Sequence, residues 1–417
     1  MLQLIGVILS FILIILLIRF KINFGISLIS GSIVLALFSI NATDITTIPY
    51  SMINDQVFLI ETLELAILMT LIFMLAKMMQ ETGAISKLID SLRTIFSKGG
   101  TLGVIPAIYG LMPVPGGALF SAPVVQEEGK EFNIQVDKKN FFNIWFRHIW
   151  FPVYPISITI LTMAQLAEID VTDIIKGNFL TFIAMIIIGL VILNFFIKKN
   201  NKKTDLKKFD ISCVKKECRG LIYLLPPTVP ISFVLFHYAF NIPLEICFGI
   251  GVVFGIMILL YLIRTPISEY YRLFKKSFTW NYALVIVGIM VFREIFELTG
   301  SNQPIFELLQ GFSIPVLAVI IILPFILGII TGYLLIAITL TYPLLAEFLP
   351  NTGLTTIGFA SLIFMSAFVG YLISPIHLCN VLSSNYLKTE TTKMYPVFIP
   401  ASIALLFIHI VIILTLF

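Results

Sequence analysis

Ten stretches of this 417-residue chain stay apolar for the length that crosses a bilayer, and the segments between them alternate between basic ones and ones without Lys or Arg. They run roughly 2–18, 22–40, 57–80, 141–164, 174–197, 221–240, 244–263, 278–298, 357–386 and 395–416. About 20 apolar residues span about 30 Å of hydrocarbon as a helix. Charged residues make up 12% of the chain and apolar ones 59%, where an ordinary soluble domain carries roughly 25% charge. A chain so composed cannot clothe itself in polar surface, which excludes a soluble enzyme, a nucleic-acid binder and a disordered scaffold. The formal charge of +4 is no nucleic-acid footprint, because the basic residues sit in short segments between apolar runs. Cys213, Cys218, Cys247 and Cys379 form no C-x-x-C pair and predict neither metal nor disulfide. The expected class is an all-α polytopic membrane protein.

Lys and Arg set direction. No basic residue precedes the first apolar run, and Arg19 and Lys21 follow it, the reverse of a secretory signal. The first span is therefore expected to be retained, with its N-terminus outside. Loop 198–219 holds nine basic residues, and others gather at 19–21, 87–98, 130–139, 264–276 and 388–393; the alternate connections hold none. Ten spans obey this alternation only if two further apolar stretches, 101–125 and 314–346, each return to the side they entered. They are expected to be re-entrant hairpins, over about 101–129 and 314–348. Both termini then lie outside a cell membrane crossed many times.

The basic linker 198–220 separates two halves, 1–197 and 221–417, that match weakly at an offset near 218. Glu81-Thr82-Gly83 parallels Leu298-Thr299-Gly300, and Pro106-x-x-x-Gly110 parallels Pro324-x-x-x-Gly328. Five spans and one hairpin per half make an odd number of crossings, so the expected architecture is an inverted repeat. Paired, Gly/Pro-interrupted segments in inverted halves are a signature of secondary transporters.

Four places cannot be continuous helix: Met112–Gly117, Pro152-Val153-Tyr154-Pro155, Thr331-Gly332-Tyr333 and Ser374-Pro375. Pro removes a backbone donor and Gly permits positive φ. Non-helical backbone in a membrane survives only against protein or a wet cavity. Each break starts a half-helix, expected at Gly117-Ala118, Ile156-Ser157, Gly332-Tyr333 and Pro375-Ile376. Such an end carries roughly +0.5 charge with free N–H groups, and four converging ends would hold a small anion. The expected substrate-binding residues are Pro115, Gly116, Gly117, Ala118, Ser121, Arg147, Tyr154, Pro155, Ser157, Thr331, Gly332, Tyr333, Ser374, Pro375, His377 and Asn380. Arg147 either pairs bidentately with a carboxylate or snorkels to the interface. His377 either carries a coupling proton or is a hydrogen-bonded structural residue. Arg293, Glu294 and Glu297 are expected at an interface, and His237 and His409 without polar company. No catalytic residue, metal or cofactor is expected, beyond a coupling H⁺ or Na⁺.

The run Pro113-Val114-Pro115-Gly116-Gly117-Ala118-Leu119-Phe120-Ser121-Ala122-Pro123 and the later Ile373-Ser374-Pro375-Ile376-His377-Leu378-Cys379-Asn380 resemble the ion-transporter superfamily. That group includes divalent-anion/sodium symporters and citrate and gluconate permeases. The first run resembles, more narrowly, a prokaryotic membrane group catalogued only as a domain of unknown function. The resemblance implies a homodimer, a scaffold from the first two spans of each repeat, and a transport domain that moves as an elevator. The Ser-Asn-Thr signatures of the sodium-coupled members are absent; Pro115-Gly116-Gly117 and Cys379-Asn380-Val381 stand in the comparable places. The expectation is a carrier of a small organic anion, a carboxylate, in the lipid bilayer. A cation/proton antiporter or an anion channel of the same architecture is the alternative. The antiporter would want an Asp or Glu beside the breaks, where none stands. An enzyme would want a nucleophile–base pair, and Ser121, Ser374 and His377 offer no such spacing.

Overall fold

A computed structural model describes residues 2–39, 52, 54–95, 98–111, 117–200, 218–264, 266–300 and 315–417. Among these residues every regular element is helical. In the first half α1 (Leu2–Arg19), α2 (Phe24–Ser39) and α3 (Gln56–Glu81) precede α4 (Ala84–Ile95). Then come α5 (Lys98–Gly110), α6 (Ala118–Glu131), α7 (Val136–Arg147), α8 (Ile158–Ala167) and α9 (Val171–Asn200). The second half opens on a 3₁₀ turn (Cys218–Leu224) and continues as α10 (Leu225–Ser232), α11 (Val234–Phe240), α12 (Leu244–Ile263), α13 (Ile267–Ser277) and α14 (Asn281–Leu298). It closes with α15 (Val316–Thr331), α16 (Leu334–Leu345), α17 (Thr356–Ile373), α18 (Leu378–Leu387) and α19 (Tyr395–Leu416).

Among the described residues, eight helical stretches are long and apolar enough to cross a membrane, against ten expected. The difference has local causes. Stretch 22–40 contracts to the 16 residues of α2, and α14 carries Arg293, Glu294 and Glu297 within 18 residues. Stretch 141–164 is split between α7 and α8, of 12 and 10 residues. In the other direction, a 3₁₀ turn at Ala346–Asn351 lengthens α16 into a span of 18 residues.

Helix ends follow from local chemistry. Asp55 caps α3 by accepting from the N–H groups of Val57 and Phe58, and Gly83 leaves it at φ +70°, the left-handed conformation that glycine adopts without strain. Thr355 caps α17 through the N–H of Gly358. Helices α8 and α18 have 10 residues each and stop alike. Glu168 and Lys388 end them at φ +53° and +56°, and the next N–H of each, Ile169 and Thr389, returns to the carbonyl of Ala164 and of Ser384. This is the Schellman pattern, at positions 220 apart in the chain.

Packing sorts the helices into an apolar rim and a sealed centre. About 22% of α1 is buried, against 89% of α17. Rim residues such as Ile8, Ile12, Ile187 and Val191 are exposed, as surfaces meeting acyl chains must be. Helix α1 packs on α2, α10 on α12, α2 on α14 and α12 on α3; at the centre, α5 packs on α7, α15 on α17, α6 on α18 and α16 on α8. Glycines set the closest approaches. A Cβ on Gly110 of α5 would stand 2.0 Å from the Arg147 carbonyl oxygen, and one on Gly328 of α15 would stand 2.4 Å from that of Ala367. Membrane helices associate through such small-residue contacts, because apolar burial gives little preference between lipid and protein.

Candidate functional site

The four interruptions separate α5 from α6, α7 from α8, α15 from α16 and α17 from α18. Residues 112–116, which include the expected site residues Pro115 and Gly116, lie outside the described residues. The freed backbone at the other breaks is satisfied locally. Between α7 and α8, Tyr154 N–H donates to the Trp150 carbonyl at 2.8 Å and Ser157 N–H to the Tyr154 carbonyl at 2.9 Å. Asn178 of α9 donates to the Pro152 carbonyl at 3.0 Å. Between α17 and α18, the Asn380 amide donates to the carbonyls of Leu372 and Ser374, and Tyr395 to that of Ile373.

These contacts correct where the half-helices begin. The last starts at Leu378 with His377 as N-cap, not at Pro375. Ser374 closes α17 instead, in extended conformation, and its hydroxyl donates to the Ile329 carbonyl of α15 at 2.6 Å. Helix α8 starts at Ile158 after Ser157, and α16 at Leu334 after Tyr333. Only α6, starting at Ala118 after Gly117, begins where expected.

A cavity of about 130 Å³ opens among three of these breaks. Apolar cavities near 150 Å³ accept a benzene-sized ligand, so this one suits a small solute. Its wall takes Gly110 and Leu111 from the end of α5, Ser157, Ile158 and Thr159 from the start of α8, and Gly332 to Leu335 from the start of α16. His377, Leu378 and Cys379 add the start of α18, and Phe73 of α3, Trp150, Phe151, Tyr154 and Tyr371 complete it. Arg147 is the one charged residue among those lining it.

Arg147 is 3% exposed, which answers the snorkelling alternative: its side chain turns inward. Nη1 donates to the Tyr109 carbonyl at 2.7 Å, in the last turn of α5, where a cation suits the helix dipole. The rest of the guanidinium lies against Gly117, whose Cβ, if present, would stand 2.2 Å from Nη2. Gly117 is the N-cap of α6, and its lack of a side chain is what lets the guanidinium lie against that helix end.

Of the expected site residues, Arg147, Tyr154, Ser157, Gly332, Tyr333 and His377 line the cavity. Pro115 and Gly116 lie outside the described residues; the remaining ones take part in packing and backbone hydrogen bonds. Ser121 donates to the Asn143 side-chain oxygen at 2.6 Å, and Asn143 donates to the Ala118 carbonyl and to Ser383, tying α6, α7 and α18 together. Thr331 donates to the Leu327 carbonyl at 2.7 Å, and Asn380 holds its own break. Pro155 and Pro375 help break the helices without lining the cavity.

Two readings from sequence change. Arg293, expected at an interface, is buried against protein and binds Glu168, Glu297 and the Gln165 carbonyl. His409 has polar company: Nδ1 accepts from Thr181 at 2.7 Å and Nε2 meets the Ser361 carbonyl at 3.2 Å. Cys379, uninformative by spacing, comes beside His148 and His377, the three ligating atoms lying within 4.8 Å of one another. Residues 231 positions apart (His148 and Cys379) carry no linear signal of such a meeting.

No curated protein matches the chain. The helical, apolar, membrane-type architecture and the broken helices belong with a family match that runs nearly end to end. The chain belongs to the family described as Protein of unknown function (DUF401), which matches it over residues 3–415.

Proposed function

We propose that the protein is a secondary active transporter, an elevator-type carrier of a small organic anion bearing a carboxylate, coupled to H⁺ or Na⁺. The observation that carries this reading is the gathering of three half-helix starts and the buried Arg147 around one small cavity. A carboxylate in the cavity would meet the Arg147 side chain and the starts of α8, α16 and α18 that line the same wall. The otherwise apolar wall favours a solute with one carboxylate and an apolar body.

An inverted repeat, with α5–α6 and α15–α16 as its re-entrant hairpins, belongs to the proposal. Its support is correspondence. Exchanging the halves turns α6 on α18 into α16 on α8, and α5 on α7 into α15 on α17. Gly110 against Arg147 becomes Gly328 against Ala367, and the cap at Glu168 becomes the cap at Lys388. Membership of the ion-transporter superfamily, a homodimer, a plasma-membrane location with both termini outside, and the absence of enzymatic chemistry are parts of the same reading.

In proteoliposomes, uptake of a monocarboxylate should saturate, and substrate loaded inside should accelerate entry of labelled substrate. The acid should bind at least about tenfold better than its neutral amide, since about 1.4 kcal/mol is one decade. Arg147→Lys, which keeps charge and loses the fork, should bind better than Arg147→Gln. Uptake without counterflow would replace the carrier with a channel, and equal binding of acid and amide would remove the anion site.

A further inference from the structure

His148 is the C-cap of α7, while His377 is the N-cap of α18 and Cys379 follows in its first turn. Two helix ends thus deliver two imidazoles and a thiol to one point. His148 is 0% exposed, His377 1% and Cys379 7%. The His148 ring is already set as a ligand would be. Its Nδ1 donates to the Ile144 carbonyl at 2.7 Å, which makes Nε2 the nitrogen that carries the lone pair, and a ring N–H given to a backbone carbonyl is the usual outer support of a metal-bound imidazole. That Nε2 accepts only from the Tyr371 hydroxyl, at 3.2 Å. His377 packs its ring on Tyr371 with centroids 3.9 Å apart, and neither of its nitrogens has a hydrogen-bond partner of normal geometry among the described residues. It has a weak backbone contact with Leu372, whose carbonyl already takes the Asn380 amide; a fully buried imidazole so poorly partnered is costly, and a ligand would lower that cost. Cys379 is a free thiol.

We propose that His148, His377 and Cys379 bind one soft, monovalent transition-metal ion, Cu⁺, at the wall of the cavity. Size and charge select it. Ligating atoms within 4.8 Å of one another need to close to about 3.5–3.7 Å for a trigonal ion with bonds of about 2.0–2.3 Å, a shift of about 1 Å for the widest pair. Imidazole and thiolate together suit soft ions. Binding releases the thiol proton, so Cu⁺ with the thiolate is neutral, whereas Zn²⁺ with the same ligands retains a positive charge. Arg147 precedes His148 directly, and no Asp or Glu lines this cavity, so that extra charge would sit uncompensated in low dielectric. The site stands independently of the transport reading, since it rests on the ligands alone.

The test uses full-length protein in detergent, with Cys213, Cys218 and Cys247 replaced by serine so that Cys379 is the remaining thiol. It is titrated with Cu⁺ against a competing chelator, and separately with Zn²⁺. One Cu⁺ per chain is expected. Cys379→Ser and His377→Ala should each weaken it by more than about 100-fold, beyond what loss of an outer-shell partner costs. X-ray absorption at the copper edge of this triple-serine protein should show one sulfur and two imidazole nitrogens, a result that does not depend on the ligand variants folding. A copper shell without sulfur, or Cu⁺ binding unchanged in Cys379→Ser, would overturn the site. Zn²⁺ displacing Cu⁺ at equal free concentration would overturn the monovalent assignment.

Discussion

Adding one methyl group at Gly110 or Gly328 should loosen the centre of the molecule, and one added at Gly249 should not. A Cβ at Gly110 would stand 2.0 Å from the Arg147 carbonyl oxygen and one at Gly328 2.4 Å from that of Ala367. Ordinary contact begins at 3.4 Å, so the helix pairs must part by about 1.4 and about 1.0 Å. Both obstacles are backbone, which no rotamer change can clear. Overpacking of this kind costs about 1–3 kcal/mol, and replacing a helical glycine by alanine returns about 0.5–1 kcal/mol. The net expectation is a loss of about 1–2 kcal/mol for Gly110→Ala and somewhat less for Gly328→Ala, since large parts of the methyl's cost fall away as the gap widens. At Gly249 a Cβ meets nothing within 4 Å, so Gly249→Ala should gain about 0.5–1 kcal/mol from backbone entropy alone. Thermal scans of the three purified variants at one scan rate, with parent protein alongside, read the order directly. Melting temperatures should fall for Gly110→Ala and Gly328→Ala and hold or rise for Gly249→Ala. If all three variants move together, the close approach of α5 to α7 and of α15 to α17 is wrong, and the correspondence between the halves loses its firmest contact.

His409→Leu should cost about 1–3 kcal/mol, the penalty of a stranded buried polar group, because Thr181 and the Ser361 carbonyl lose their partner; thermal scans check it, and an unchanged melting temperature would show that the network linking α9, α17 and α19 contributes nothing. Single cysteines at Lys202, in the basic linker, and Asn351, after α16, should react with an impermeant maleimide from opposite faces of the membrane. Labelling from the same face would break the inverted arrangement.

Much of the architecture follows from the linear chain because a bilayer demands runs of apolar residues of fixed length, and such runs are visible one residue at a time. Stretch 244–263 becomes α12 with the same bounds, and 395–416 becomes α19. The breaks were equally legible at Pro152, Pro155, Gly332 and Pro375, because proline and glycine act on their own backbone. Which helix begins where was less so. Ser374 and Pro375 have the local chemistry of a helix start, yet the Ser374 hydroxyl is taken by the Ile329 carbonyl 45 positions away, and α18 begins at Leu378.

What the sequence by itself determined is therefore the class, most of the spans and the places where helix must stop. Tertiary structure alone decided what meets at those stops. Arg147 turns toward Tyr109 and Gly117 rather than to the interface, and Arg293 finds Glu168 and Gln165 across two helices. Asn380 spends its amide on the carbonyls of its own break, while Cys379, one residue earlier, reaches His148 from the other half. The physical reason is that periodicity records which side of a helix is apolar, whereas a polar side chain's partner is fixed by which helices pack together, and in lipid that packing rests on contacts between residues far apart in the chain.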